Sequence, residues 1–248
     1  MKPTFIAFLT LCLCVVGCGK KEAPESADNA PTAPKVEVKN SEPTKAVPEK
    51  LIADPIVEKA IREKLKMPKG KLTKADLEEV TSLTLKNNQL TNVKGLEKLT
   101  KLTELKLASN QLTEVPKGLE KFTQLTLLDL RDNQLTEVPK ALEKLTELTK
   151  LSLAGNQLTE VKRLEKLTKL EFLRLDKNRL TDVKVLEKLT QLNGLELSNN
   201  QLTDVKVLEK LTGLKMLVLT HNPDLTKAQI EQLQKALPKC EIIANPKK

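Results

Sequence analysis

Apolar positions in this chain recur in blocks around a fixed Asn. Aligning on that residue gives Asn88, Asn110, Asn133, Asn156, Asn178, Asn200 and Asn222, spaced 22, 23, 23, 22, 22 and 22 residues apart. Each block reads L-x-x-L-x-L-x-x-N-x-L, and the first six continue with x-x-V and two more apolar positions. The fourth supplies Leu148, Leu151, Leu153, Asn156, Leu158, Val161, Leu164 and Leu167. The L-x-L alternation predicts a short strand with Leu inward and the intervening residues outward. A period of 22 to 23 predicts a solenoid in which each block is one coil. No coil can bury its apolar face alone, so the array is stable only collectively. Each buried Leu is worth about 1.5–3 kcal/mol, enough over several per coil to offset chain ordering. The Asn falls where the chain leaves the strand. Its amide donates and accepts at once, so stacked Asn should satisfy the backbone groups of the turns as a ladder. Two blocks carry an extra residue, at Val115-Pro116 and Val138-Pro139; Pro lacks an N–H and fixes φ, which predicts either a different outer turn there or, the favoured reading, a tolerated variation in coil geometry.

Terminal coils need covers. Asp54-Pro55 reads as a helix N-cap and first helical position, followed by the apolar stripe Ile56, Val57, Ala60, Ile61 and Leu65 and a stop at Pro68-Lys69-Gly70. Thr73-x-x-Asp76 and Thr226-x-x-Gln229 read as capping boxes. The second opens a helix with Ile230, Leu233 and Leu237 inward, ended by Pro238, with residues 240–243 extended after it. Cys240 is read as a buried small hydrophobe.

Composition sharpens this picture. The chain has 248 residues, no Trp, no Tyr and four Phe, so Leu must fill the core. Its formal charge of +9 is spread over interspersed Lys and Glu, which describes a solvated surface and excludes a basic nucleic-acid footprint. The N-terminal stretch runs from Lys2 through an apolar segment, Phe5 to Val16, to Gly17-Cys18. That segment is shorter than the ~20 residues a membrane span needs and fits a secretory signal. Val15-Val16-Gly17-Cys18 resembles the lipobox of bacterial lipoproteins. The resemblance implies cleavage before Cys18, acylation of Cys18 and, with Gly19 next, the outer membrane if the cell is Gram-negative. Residues 19–50 are rich in Pro and charge and poor in large apolar groups, a disordered tether with a reach of roughly 30 Å. The expected domains are a signal peptide at 1–17, anchor and tether at 18–50, a helical cap at 51–79, seven repeats at 80–222, and a C-terminal cap and tail at 223–248.

Residues 51–243 resemble bacterial leucine-rich repeat proteins of the internalin-like, 22-residue class. The resemblance implies an α/β leucine-rich repeat solenoid. It would be curved, with parallel strands on the concave face, short 3₁₀ or turn segments on the convex face, and helical N- and C-terminal caps. It also implies non-catalytic binding of a protein partner through the concave surface. The residues agree with a non-enzyme. His221 is the one histidine, no nucleophile elbow, phosphate loop, H-E-x-x-H or calcium loop occurs, and no Cys/His spacing suggests a metal. No catalytic residue, cofactor or metal ligand is expected.

Outward strand positions vary most. Leu127, Phe172, Met216 and Val218 are apolar where neighbours are small or charged. Leu127, Phe172 and Met216 lie two coils apart in turn, about 10 Å at ≈ 4.8 Å per strand. Asp129, Arg131, Lys150, Arg174 and Asp176 surround them, and apolar anchors in a charged rim describe a protein-binding hot spot. The reading is a monomeric solenoid held to the membrane by a lipid on Cys18, binding a protein and no nucleic acid. The alternative is a structural or self-associating envelope spacer, suggested by the near-identical Leu-Glu-Lys-Leu-Thr segments.

Overall fold

The computed structural model describes residues 50–91, 93 and 95–245. The expected signal peptide, Cys18 and the tether up to residue 49 lie outside the described residues.

Two helices open the described part, α1 (Pro55–Leu65) and α2 (Lys74–Glu78). Seven three-residue strands follow, one per coil: β1 (Ser82–Thr84), β2 (Glu104–Lys106), β3 (Leu127–Asp129), β4 (Lys150–Ser152), β5 (Phe172–Arg174), β6 (Gly194–Glu196) and β7 (Met216–Val218). Helix α3 (Lys227–Ala236) and a last strand, β8 (Glu241–Ile243), complete the order. All eight strands form one parallel sheet in chain order. The register keeps like positions together: Leu127, Lys150, Phe172, Gly194, Met216 and Glu241 are successive partners. The sheet is the concave side of the solenoid and short 3₁₀ segments form the convex side. The middle Leu of every repeat strand, from Leu83 to Leu217, is buried. Phe122 takes a position filled by Leu99 and Leu145 in neighbouring coils and is fully buried.

The Asn ladder forms as the sequence predicts. Asn156 Nδ2 donates to the carbonyls of Leu153 in its own coil (3.0 Å) and Leu130 in the preceding one (3.1 Å), and its Oδ1 accepts from Leu135 N at 3.0 Å. Asn133, Asn178 and Asn200 repeat the arrangement. The coils are therefore joined by side-chain amides as well as by the sheet.

The convex turns at Pro116 and Pro139 keep the ordinary coil geometry, a tolerated variation and not a different turn. Pro116 and Pro139 are buried, and their carbonyls accept from Leu119 N and Leu142 N just as the Val161 carbonyl accepts from Leu164 N. Pro fills the acceptor position of the ordinary coil, where no donor is required of it. What sets turn length is Gly. The segments that follow Gly95 (φ 95°) and Gly118 (φ 85°) are three residues long, Leu96–Lys98 and Leu119–Lys121. The four later ones are five residues long, Lys140–Lys144 after Pro139 among them. A left-handed residue cannot sit inside the helical turn, so it moves the start inward.

Along the convex side of the later coils, from Lys166 onward, a Lys reaches the preceding coil's Glu. Lys166 pairs with Glu143 (2.8 Å), Lys188 with Glu165 (2.7 Å) and Lys210 with Glu187, and Gln232 of α3 continues the row to Glu209 (2.7 Å). Both capping boxes are present, at Thr73/Asp76 and Thr226/Gln229, and Asp54 Oδ1 accepts from Ile56 N and Val57 N. Cys240 is buried, which pushes its thiol pKa up. All buried apolar residues of this core lie between Ile52 and Cys240. Helices close both ends, so a chain beginning at residue 19 contains everything the solenoid needs to fold.

Candidate functional site

Strand alternation places one row of outward side chains at the first strand position and a second row at the third. Most of both rows is small or charged. The large apolar side chains standing exposed among the described residues are three: Phe172 at 47%, Met216 at 48% and Ile243 at 41%. All three belong to this concave surface, on β5, β7 and β8. Val218 is half-buried and lies in register beside Ile243. The apolar ground is thus continuous from Phe172 through Met216 and Val218 to the last strand.

Leu127, expected in the same group, is half-buried on β3 between Glu104 and Lys150. The apolar surface therefore sits in the last coils and not along the whole sheet. Ile243 lies beyond the last repeat Asn, outside the repeat pattern, and its register with Val218 is what places it on this face.

Gly194 occupies the first-row position between Phe172 and Met216. With no side chain there, a groove of about 710 Å³ opens, lined by Phe172, Arg174, Gly194, Glu196, Met216 and Val218. The Phe172 ring leans over the glycine, since a Cβ on Gly194 would come within 2.9 Å of it. On the ring's other side Lys150 Nζ lies 5.7 Å from its centroid, a cation–π distance. The strand approach changes in the same coils. Thr103, Thr126 and Thr149 each donate their hydroxyl to the Thr carbonyl one coil back, and then Glu171, Asn193 and Lys215 replace Thr.

The expected charged rim is layered. Asp129 is 9% exposed and Asp176 is 5% exposed. Asp176 takes Arg174 in two hydrogen bonds, at 3.1 and 3.2 Å, which raises the guanidinium's pKa further above its ordinary value. Asp129 lies 3.6 Å from Arg131 and 3.7 Å from Lys86, and its Oδ1 accepts from Arg131 N. Both aspartates are turned into the sheet surface while Arg174 and Lys150 are exposed and Arg131 is half-exposed. The Ser152 hydroxyl, between Asp129 and Arg174 in register, is buried and has no hydrogen-bond partner among the described residues.

Comparison with known proteins agrees with this architecture. Family models described as leucine rich repeat match residues 100–158, and as two-copy leucine rich repeats match 78–121 and 146–188. No curated protein gives a significant match. An internalin, InlF, from Listeria monocytogenes is similar at 28% identity and TM-score 0.71 over 78% of this chain. The chain spans 56% of that protein. Internalin C2 from the same species is similar at 28% identity and TM-score 0.72, over 80% of this chain and 88% of its own. A Leptospira interrogans leucine-rich repeat protein is 33% identical with TM-score 0.56, over 69% of this chain and 51% of its own. The chain carries leucine-rich repeats and folds as their solenoid, a scaffold consistent with protein–protein interaction.

Proposed function

We propose that this is a non-catalytic binding module of a bacterial cell envelope, held to a membrane by a lipid on Cys18 and engaging a protein through its concave face. The observation that carries the reading is the apolar run on that face, Phe172, Met216 and Ile243 exposed and Val218 half-buried between the last two. Exposing such side chains is unfavourable unless a partner covers them, and a central apolar cluster with a charged rim is the usual energetic centre of a protein interface. The lipobox resemblance at residues 15–18 and the Pro-rich stretch to residue 50 supply the anchor and the tether.

The convex Glu-Lys pairs act inside one molecule, between successive coils. Their repetition needs no second copy to explain it, which favours the binding module over the self-associating spacer.

Two measurements test this. Crosslinked capture from the producing cell's envelope, using residues 19–248, should retain a protein that the Phe172→Ala, Met216→Ala, Ile243→Ala triple variant loses. Equal capture by both removes the face assignment. Metabolic labelling with radioactive palmitate should mark the full chain and not its Cys18→Ala variant; absence of label removes the anchor.

A further inference from the structure

The concave face offers more than an apolar groove. Beyond Lys150, the outward side chains of coil 4 are short: Ser152 on β4, then Ala154 and Gly155. Longer ones stand on either side, Arg131 one coil back and Arg174 one coil on. Their aspartates lie beneath them: Asp176 occupies two of the five Arg174 donors, leaving three for a ligand. Beneath this gap the Ser152 hydroxyl is buried and unpartnered among the described residues, so a ligand reaches it by parting the guanidiniums above. A buried hydroxyl without a partner is costly, and a ligand acceptor is what would satisfy it. Lys150, exposed beside Phe172, adds a further positive charge. Among the nearby acids, Glu196 accepts from Ser198 N at 3.2 Å, turned toward its own loop, and Glu171 lies on the far rim with Lys215.

We propose that the concave face binds an extended acidic peptide segment of its protein partner. A carboxylate of that segment enters the gap over Ser152 between Arg131 and Arg174, and a bulky apolar side chain enters the groove over Gly194 between Phe172 and Met216. The two seats are two strands apart and two residues apart along the strand. At ≈ 4.8 Å and ≈ 3.3 Å for those steps the separation is about 12 Å, or three to four residues of extended chain. The buried aspartates orient the guanidiniums and offset part of their charge, so what a ligand carboxylate meets is the three free Arg174 donors and the Lys150 ammonium. This proposal rests on the concave-face reading and adds the chemistry of what is read.

The chain from Gly19 to Lys248 contains two Met, Met216 in the groove and Met67 in the N-terminal cap. Labelled with ¹³C at the methyl groups, it gives one resonance at the site and one internal control. The probe is a capped peptide Gly-Glu-Ser-Gly-Phe-Gly, titrated to millimolar concentration beside the same peptide with Gln for Glu. The Met216 resonance should shift with saturation while Met67 stays fixed, and the Gln peptide should bind at least five-fold more weakly. Arg174→Gln should abolish that preference with the Met67 resonance unmoved, which shows the variant folded. Equal affinity for the Glu and Gln peptides, a preference that survives Arg174→Gln, or a stationary Met216 overturns the proposal. None of these results touches the envelope capture. Conversely, a discriminating titration with nothing captured by the wild-type fragment would place the failure in the partner reading.

Discussion

At the scale of single residues, the conspicuous polar side chains divide into those that hold the coils and those that face outward. Asn156 closes three backbone groups drawn from two coils. Leu in its place leaves buried groups unpaired at about 1–3 kcal/mol each, so Asn156→Leu should lower unfolding free energy by roughly 3 kcal/mol or more in urea titration. Asn88 starts the ladder: among the described residues its amide donates only to Lys86 O at 2.8 Å, with no coil of this kind before it. Asn88→Leu should cost roughly 1 kcal/mol, and equal losses at the two positions would refute the ladder as the reason for the Asn. Gly194→Ala makes the complementary test. Its methyl would displace the exposed Phe172 ring and narrow the groove, so stability should stay within about 0.5 kcal/mol while affinity for the Phe-bearing peptide falls several-fold. The two Asn roles are legible in sequence because the spacing repeats. Gly194 and Ser152 are not: each is one ordinary small residue, and only the neighbours that the register supplies make one a slot and the other an unpartnered hydroxyl.

At the scale of elements, the convex row of Glu-Lys pairs predicts how stability follows pH. Hydrogen bonds from Lys166, Lys188 and Lys210 hold Glu143, Glu165 and Glu187 below the ordinary glutamate value of 4.5. A carboxylate whose pKa is lower folded than unfolded contributes stability fully above the unfolded value, and loses it as pH falls through the folded one. The melting temperature should therefore fall as pH drops below about 4.5, and less steeply in the triple Glu→Gln variant of these positions. Because the groups are exposed, 0.5 M salt should shrink the difference between the two proteins at neutral pH. Identical pH profiles would show that the pairs are geometric only. The turns bearing this row were only partly foreseen. The inserted Pro drew attention as backbone punctuation, yet Pro116 and Pro139 fill a position where only a carbonyl is used, and the left-handed Gly95 and Gly118 decide the turn length. A residue's effect depended on which backbone group the position employs.

At the scale of the whole molecule, the solenoid was readable because each coil repeats one answer: Leu at the same inward positions, Asn at the same turn, and an apolar cap at either end. The proposed binding surface was half-readable because it lies where the coils stop being alike. Phe172 and Met216 stood out in the outward positions, whereas Leu127 is sheltered on its strand and Ile243 comes from outside the repeat. Repetition also makes the coil an instrument for testing the site. Duplicating residues 184–205, one coil of 22 residues, gives each copy one original neighbour and one copy of itself, with the same Asn and the same Glu-Lys positions as the original. In a nearest-neighbour solenoid such an insertion should preserve or raise stability, and the urea m-value should rise by roughly one-eighth with the added buried surface. It also inserts a second strand between β5 and β7, moving Phe172 and Met216 one spacing of ≈ 4.8 Å further apart. Duplicating residues 95–117 lengthens the solenoid ahead of Asp129 and Arg131 and leaves the order of β3 to β8 intact. Both proteins should fold, with similar m-values. Only the first should lose the Met216 response to the acidic peptide, because that response requires Phe172, Gly194 and Met216 on successive strands. If the first insertion binds as well as the parent, the groove is not the seat of recognition, however well the molecule folds.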